Sequence, residues 1–124
     1  MIEYTVKVYP SGDREWHLNG ERHREDGPAI ECADGRKEWY LNGKLHREDG
    51  PACEWADGSK YWYLDGKLHR EDGPAMELAD GSKVWYLDNK RVSEKEHKRR
   101  TSKTKELTVQ EISELLGYEV KVVR

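Results

Sequence analysis

His46-Arg47-Glu48-Asp49-Gly50-Pro51-Ala52 decides the reading of this chain, because the same seven residues also stand at 23–29 and 69–75. The step is 23 residues, and other positions keep it: Trp16, Trp39, Trp62 and Trp85; Leu18, Leu41, Leu64 and Leu87; Gly12, Gly35, Gly58 and Gly81. A fixed period in this range marks a chain built from one supersecondary unit used several times. Residues 1–91 read as one N-terminal strand and about three and a half copies of that unit, and 92–124 as a separate basic and capping segment.

Working outward from the motif, Pro28–Ala33 reads as a short strand and Asp34-Gly35 as a hairpin turn. Arg36–Leu41 is the return strand, Asn42-Gly43 a second hairpin turn, and Lys44–His46 a short third strand. Pro51 opens the next copy at a strand's first residue, where no ladder bond is lost. The pattern predicts a mainly β fold, an elongated antiparallel meander of 23-residue hairpin units. If both turns have two residues, Ile30 opposes Trp39, Ala29 opposes Tyr40, and Tyr40 opposes Leu45. One face then carries Ile30, Cys32, Trp39, Leu41 and His46, and the other Ala29, Glu31, Ala33, Tyr40 and Leu45. A one-residue slip would exchange the faces.

The ends differ from the body. Residues 2–9 alternate as a strand, and Pro10–Asp13 is a turn. Ser93–Arg100 reads as a short helix with Ser93 as N-cap, acids first and bases last. Thr101–Lys105 reads as a link, Thr108–Glu111 as a capping box, and Ile112, Leu115 and Leu116 as the apolar stripe of a helix ending at Gly117. Tyr118–Val123 alternates as a final strand, so a helix–strand cap on the sheet is expected.

Of the 124 residues 38% are charged; there is no Phe, but there are five Trp and seven Tyr. Such a composition suits a thin sheet that buries aromatic strips. No apolar run approaches the roughly 20 residues that span a bilayer, and no signal-peptide pattern opens the chain, so a cytoplasmic location is expected. Residues 90–105 hold eight Lys or Arg against two Glu, a local +6, which leaves −9 on the rest of a chain of net charge −3. Cys32 and Cys53 stand where other copies have ordinary hydrophobes, and equivalent strands lie roughly 10 Å apart, too far for a disulfide.

Trp39-Tyr-Leu-Asn-Gly-Lys-Leu-His-Arg-Glu-Asp-Gly-Pro-Ala52, at its 23-residue period, resembles the MORN repeat, whose pattern is an aromatic pair, Asn-Gly, then His-Gly and a further Gly. The resemblance covers residues 12 to about 91 and departs at His46, which Arg47-Glu-Asp separates from Gly50. In this it is similar to His-Arg-Glu-Asp-Gly-Pro-Ala arrays of small bacteriophage proteins. The resemblance implies a solenoid-like stack of hairpins that binds or dimerises without catalysis, and a phage-encoded inhibitor of a host defence protein.

The residues themselves offer several candidates. His23, His46 and His69 recur with Arg24, Arg47 and Arg70, but equivalent positions roughly 10 Å apart share no metal ion, whose donors sit at about 2 Å. The plainer role is for each His to pack on its Trp and tie down the following turn. The same Arg residues could hold a phosphorylated nucleotide. Glu25-Asp26, Glu48-Asp49 and Glu71-Asp72 are adjacent carboxylates in three identical turns, unlike one perturbed catalytic pair in a pocket. Tyr40, Tyr63 and Tyr86, with Glu31, Glu54 and Glu77, form either a recognition stripe or a second packing ladder. The basic segment has no aromatic platform for single strands, and the acidic body disfavours duplex binding. A non-enzymatic binding protein with no metal or cofactor is expected, its partner a host protein, with nucleotide binding and homodimerisation as alternatives.

Overall fold

The short strands follow from the turns. In the computed structural model, which describes residues 3–102 and Gln110, no strand is longer than five residues because a glycine-bearing turn or a motif loop interrupts the chain every few positions. The first long hairpin joins β1 (Thr5–Val8) and β2 (Arg14–Leu18), followed by β3 (Glu21–Arg22). The next two stretches give β4 (Ile30–Glu31), β5 (Lys37–Glu38), β6 (Tyr40–Leu41) and β7 (Lys44–Leu45), then β8 (Cys53–Glu54), β9 (Lys60–Tyr61), β10 (Tyr63–Leu64) and β11 (Lys67–Leu68). β12 (Met76–Glu77), β13 (Lys83–Leu87) and β14 (Lys90–Val92) lead into α1 (Glu94–Thr101).

All strand pairings among the described residues are antiparallel. One ten-stranded sheet runs β1-β2-β4-β5-β8-β9-β12-β13-β14 with β3 beside β2, while β6–β7 and β10–β11 form two ribbons of their own. The expected mainly β antiparallel meander is present, with one helix, α1, after the last strand among the described residues. The return strand expected over Arg36–Leu41, however, is split at Trp39 into β5 and β6, and the expected third strand pairs only with β6, outside the main sheet. The expected capping box, helix stripe and final strand of residues 108–123 lie outside the described residues.

Both turns of the unit can be read from the backbone. Asn42 and Gly43 take φ of 51° and 79°, and Tyr40 pairs with Leu45, the two-residue turn that Asn-Gly favours. At the first turn the expected register is corrected: Ile30 pairs with Glu38, not Trp39, and Glu31 with Lys37. The loop there has three residues, Ala33-Asp34-Gly35, closed by Cys32 N–H to Arg36 O at 2.8 Å and Gly35 N–H to Cys32 O at 3.0 Å. Gly35 sits at φ 100°, and the Asp34 carboxylate accepts from Arg36 N–H at 2.9 Å. Asp-Gly suits either loop length; its Asp caps the loop through a side-chain bond instead of occupying a left-handed position. The slip places Glu38 on the face of Ile30 and Cys32, so the expected aliphatic ladder there is interrupted by a carboxylate.

The core is narrow. Ala29, Ala52 and Ala75 are fully buried, with Ile30 and Cys53 close behind, and no large side chain among the described residues is. Each of these Ala carbonyls takes an N–H from the Trp of the preceding copy: Trp16 to Ala29 at 2.7 Å, Trp39 to Ala52 at 2.7 Å, and Trp62 to Ala75 at 2.8 Å. The tips of the first hairpins are stitched less evenly. Asp13 Oδ1 accepts from Ala33 N–H at 2.8 Å and Ser59 Oγ from Ala79 N–H at 3.0 Å, but at the position between them Arg36 has no acceptor to offer.

Ser93 caps α1, accepting from Glu96 N–H at 3.0 Å, as the acid-first, base-last pattern predicts. The helix follows where a fourth motif loop would stand and is held by buried His97, whose Nε2 lies 2.6 Å from Arg70 O.

Ala52→Leu should cost about 1–3 kcal/mol by overpacking, read as a lower urea midpoint at unchanged slope. Burial pushes the Cys53 thiol up to about 11, so little thiolate exists near neutrality. Mass mapping after brief alkylation of the folded protein in neutral buffer should find Cys53 unmodified, and labelled once urea opens the sheet.

Candidate binding surface

The motif's arginine is turned into the structure. Arg47 lies over the Trp39 ring, its Cζ 3.9 Å from the centroid. Its Nε donates to Asp49 Oδ1 at 2.9 Å, its Nη1 to Pro51 O at 3.1 Å, and Glu54 stands 3.6 Å from Nη1. Gly50 makes room: a Cβ there would sit 2.9 Å from Arg47 Cζ. Arg24 on Trp16 and Arg70 on Trp62 repeat the arrangement, with centroid distances of 3.9 and 3.8 Å and Pro28 O and Pro74 O each at 3.1 Å. Glu31 and Glu77 join these clamps at 3.2 and 3.4 Å.

The histidines tie one unit to the next. His23 Nδ1 accepts from Asn42 N–H, His46 Nδ1 from Asp65 N–H, and His69 Nδ1 from Asp88 N–H, each at 2.9 Å. An imidazole accepting at Nδ1 is neutral and carries its proton on Nε2. That nitrogen faces Glu25, Glu48 and Glu71 at 3.4, 3.6 and 3.6 Å. The expected tie to the following turn is thus the looser of two contacts, and the firm one reaches 19 residues ahead.

Tyr40 is half-buried; its hydroxyl donates to Glu38 Oε1 at 3.0 Å and the Arg22 guanidinium lies 5.5 Å from its ring centroid. Burial raises the phenol pKa of both Tyr40 and Tyr63. Glu31, Glu54 and Glu77 are partners of the clamping arginines.

Two grooves lie between consecutive motif loops. The first, about 750 Å³, runs between the loop of Arg24–Gly27 and that of Arg47–Asp49, over Trp39, Leu41 and His46. The second, about 830 Å³, has the same lining 23 residues on, with Trp62, Leu64 and His69, and Thr101 of α1 at its edge. Of the residues singled out in the sequence, Arg24, His46, Arg47, His69 and Arg70 line grooves. Tyr40, Tyr63 and Tyr86, Glu31, Glu54 and Glu77, and His23 line neither. The Trp and Leu of each floor and the exposed Glu25, Glu48 and Glu71 are the lining that sequence reasoning did not place.

The loop explains six of its seven residues by structure. His bonds the next turn, Arg clamps, Asp accepts from Arg, Gly gives clearance, Pro supplies a carbonyl and Ala fits where nothing larger does. The glutamate is the exception. Glu48 and Glu71 are 84% and 79% exposed and hold only a loose contact to His, yet Glu is retained in every copy. Some other positions have drifted, as at Arg36, Ser59 and Ser82 or Glu21, Lys44 and Lys67, while the exposed Lys37, Lys60 and Lys83 are retained on the strands as the glutamate is in the loop.

Comparisons with known proteins match this chain to no family model, no curated protein and no solved structure.

Arg47→Lys keeps the charge but loses the planar stack and the two-nitrogen fork, and should cost about 1–2 kcal/mol in urea denaturation. Glu48→Gln should stay within about 0.5 kcal/mol of the parent in the same experiment.

Proposed function

We propose that this protein is a non-enzymatic binding module, a MORN-like stack of hairpin units that engages a partner protein through the grooved face. The observation that carries the reading is the pair of equivalent grooves, each with a Trp–Leu floor and a rim of exposed carboxylates, of which Glu48 and Glu71 hold only a loose contact to His while Glu25 is hydrogen-bonded to His23 at 3.4 Å. Adjacent carboxylates recur identically along the array, which suits repeated contact better than a single reacting centre. A phage origin and a host defence protein as target rest on the resemblance of the His-Arg-Glu-Asp-Gly-Pro-Ala arrays, and the partner is then an intracellular host protein that this chain inhibits. The nucleotide alternative has less support, because Arg24, Arg47 and Arg70 are already bonded to carbonyls and carboxylates.

The test is affinity capture from bacterial host lysate with the parent chain and with Glu25→Gln/Glu48→Gln/Glu71→Gln, both checked for folding by circular dichroism. A host protein retained by the parent and lost from the triple variant is the expected result. Equal retention by both would remove the grooved face from the reading.

A further inference from the structure

We propose, resting on the reading of the grooves as the binding surface, that their occupant is an extended basic segment of the partner, in polyproline-like conformation, with Lys or Arg at every third residue. Three features of the surface select it.

The first is charge. Each clamping Arg already faces two carboxylates, Arg24 those of Asp26 and Glu31, Arg47 those of Asp49 and Glu54, and Arg70 those of Asp72 and Glu77. Within the lining of each groove, two Arg stand against four Glu or Asp. The exposed walls are left net negative, and the Asp carboxylates on them are 80–87% exposed. An anionic ligand is repelled here and a cation attracted.

The second is the floor. Trp39 with Leu41, and Trp62 with Leu64, put apolar surface beneath those carboxylates. A side chain with a long aliphatic stem and a charged tip fits both levels, the stem on Trp and Leu and the tip between the walls. Lys and Arg are the residues built this way; a compact ion would leave the floor uncovered.

The third is spacing. The grooves are related by one 23-residue unit, and equivalent strands in the sheet order are two places apart, for example β5 and β9. Two strand spacings are roughly 9.6 Å. A polyproline II segment rises about 3.1 Å per residue with three residues per turn, so residues i and i+3 project the same way about 9.3 Å apart. A β-strand brings same-side residues to about 6.7 Å or 13 Å, which misses the pitch. Thr101 of α1 borders the second groove, and His97 fixes the helix to Arg70 O, so the run of grooves ends there and a short segment fills it.

The experiment uses the full chain and two fluorescein-labelled peptides of identical composition. One is three tandem Arg-Pro-Pro triplets; the other has its three Arg adjacent. Fluorescence anisotropy at low ionic strength should show the triplet peptide binding at least about fivefold more tightly than the other, with the affinity falling at high salt. Glu48 stands on the wall shared by both grooves, so Glu48→Gln should weaken the triplet peptide about fivefold. Glu21→Gln makes the same charge change at an exposed position lining neither groove, and should leave binding unaltered. Equal affinity for the two peptides, or equal loss in the two variants, overturns the proposal in favour of bulk charge attraction. Binding of neither peptide also overturns it, while capture of a host protein that depends on Glu25, Glu48 and Glu71 would still uphold the grooved face as the binding surface.

Discussion

The fold depends on one interaction made three times: a guanidinium stacked on a tryptophan and locked by a proline carbonyl and an aspartate. It does what a thick core does in other proteins. With no large side chain among the described residues fully buried, the sheet has little apolar area to bury per residue, and small structures of that kind need staples. The arginine supplies one by pinning its own loop against the aromatic ring of the preceding strand. It also accounts for the composition of the loop. Gly50 is there because of the arginine's volume, Asp49 because of its Nε, and Pro51 offers a carbonyl at the start of the next strand.

The second staple acts between units. The histidine Nδ1 bonds, the Trp-to-Ala bonds and the turn bonds such as Gly66 N–H to Leu45 O at 2.8 Å all join neighbouring units. Each of these bonds therefore ties one 23-residue stretch of the chain to the next. The same arrangement consumes nearly every polar group the motif contains, and this is why the unconsumed glutamate carries weight in the functional argument.

Sequence legibility was uneven for physical reasons. The Asn42-Gly43 turn could be read because both residues tolerate positive φ and little else does. The Asp34-Gly35 turn could not be sized, because one Gly at positive φ serves a two-residue or a three-residue loop, and that single residue decides which side chains face each other. The helix start at Ser93 was legible from local chemistry alone. The clamp was not, since nothing in a string of letters says that Arg47 folds back onto Trp39 eight positions earlier. Nor does it say that His46 bonds a backbone amide 19 positions later. The grooves are the negative image of those contacts and share their illegibility: Trp39 reads as a core residue, while in the structure it carries an arginine and also floors a groove.

The hairpin tips lend the molecule a mechanical grain. Asp13 stitches to Ala33 and Ser59 to Ala79 by hydrogen bonds, while Arg36 reaches the tip that follows it with its guanidinium, 5.2 Å from the Trp55 ring centroid. Between the hairpin that carries Arg36 and the one that carries Ser59, the joint at the tips is thus a cation–π contact in place of a directed hydrogen bond. The loop of Glu48 links those two hairpins and lines both grooves, so a partner lying across the grooves would also act as a splint over that joint.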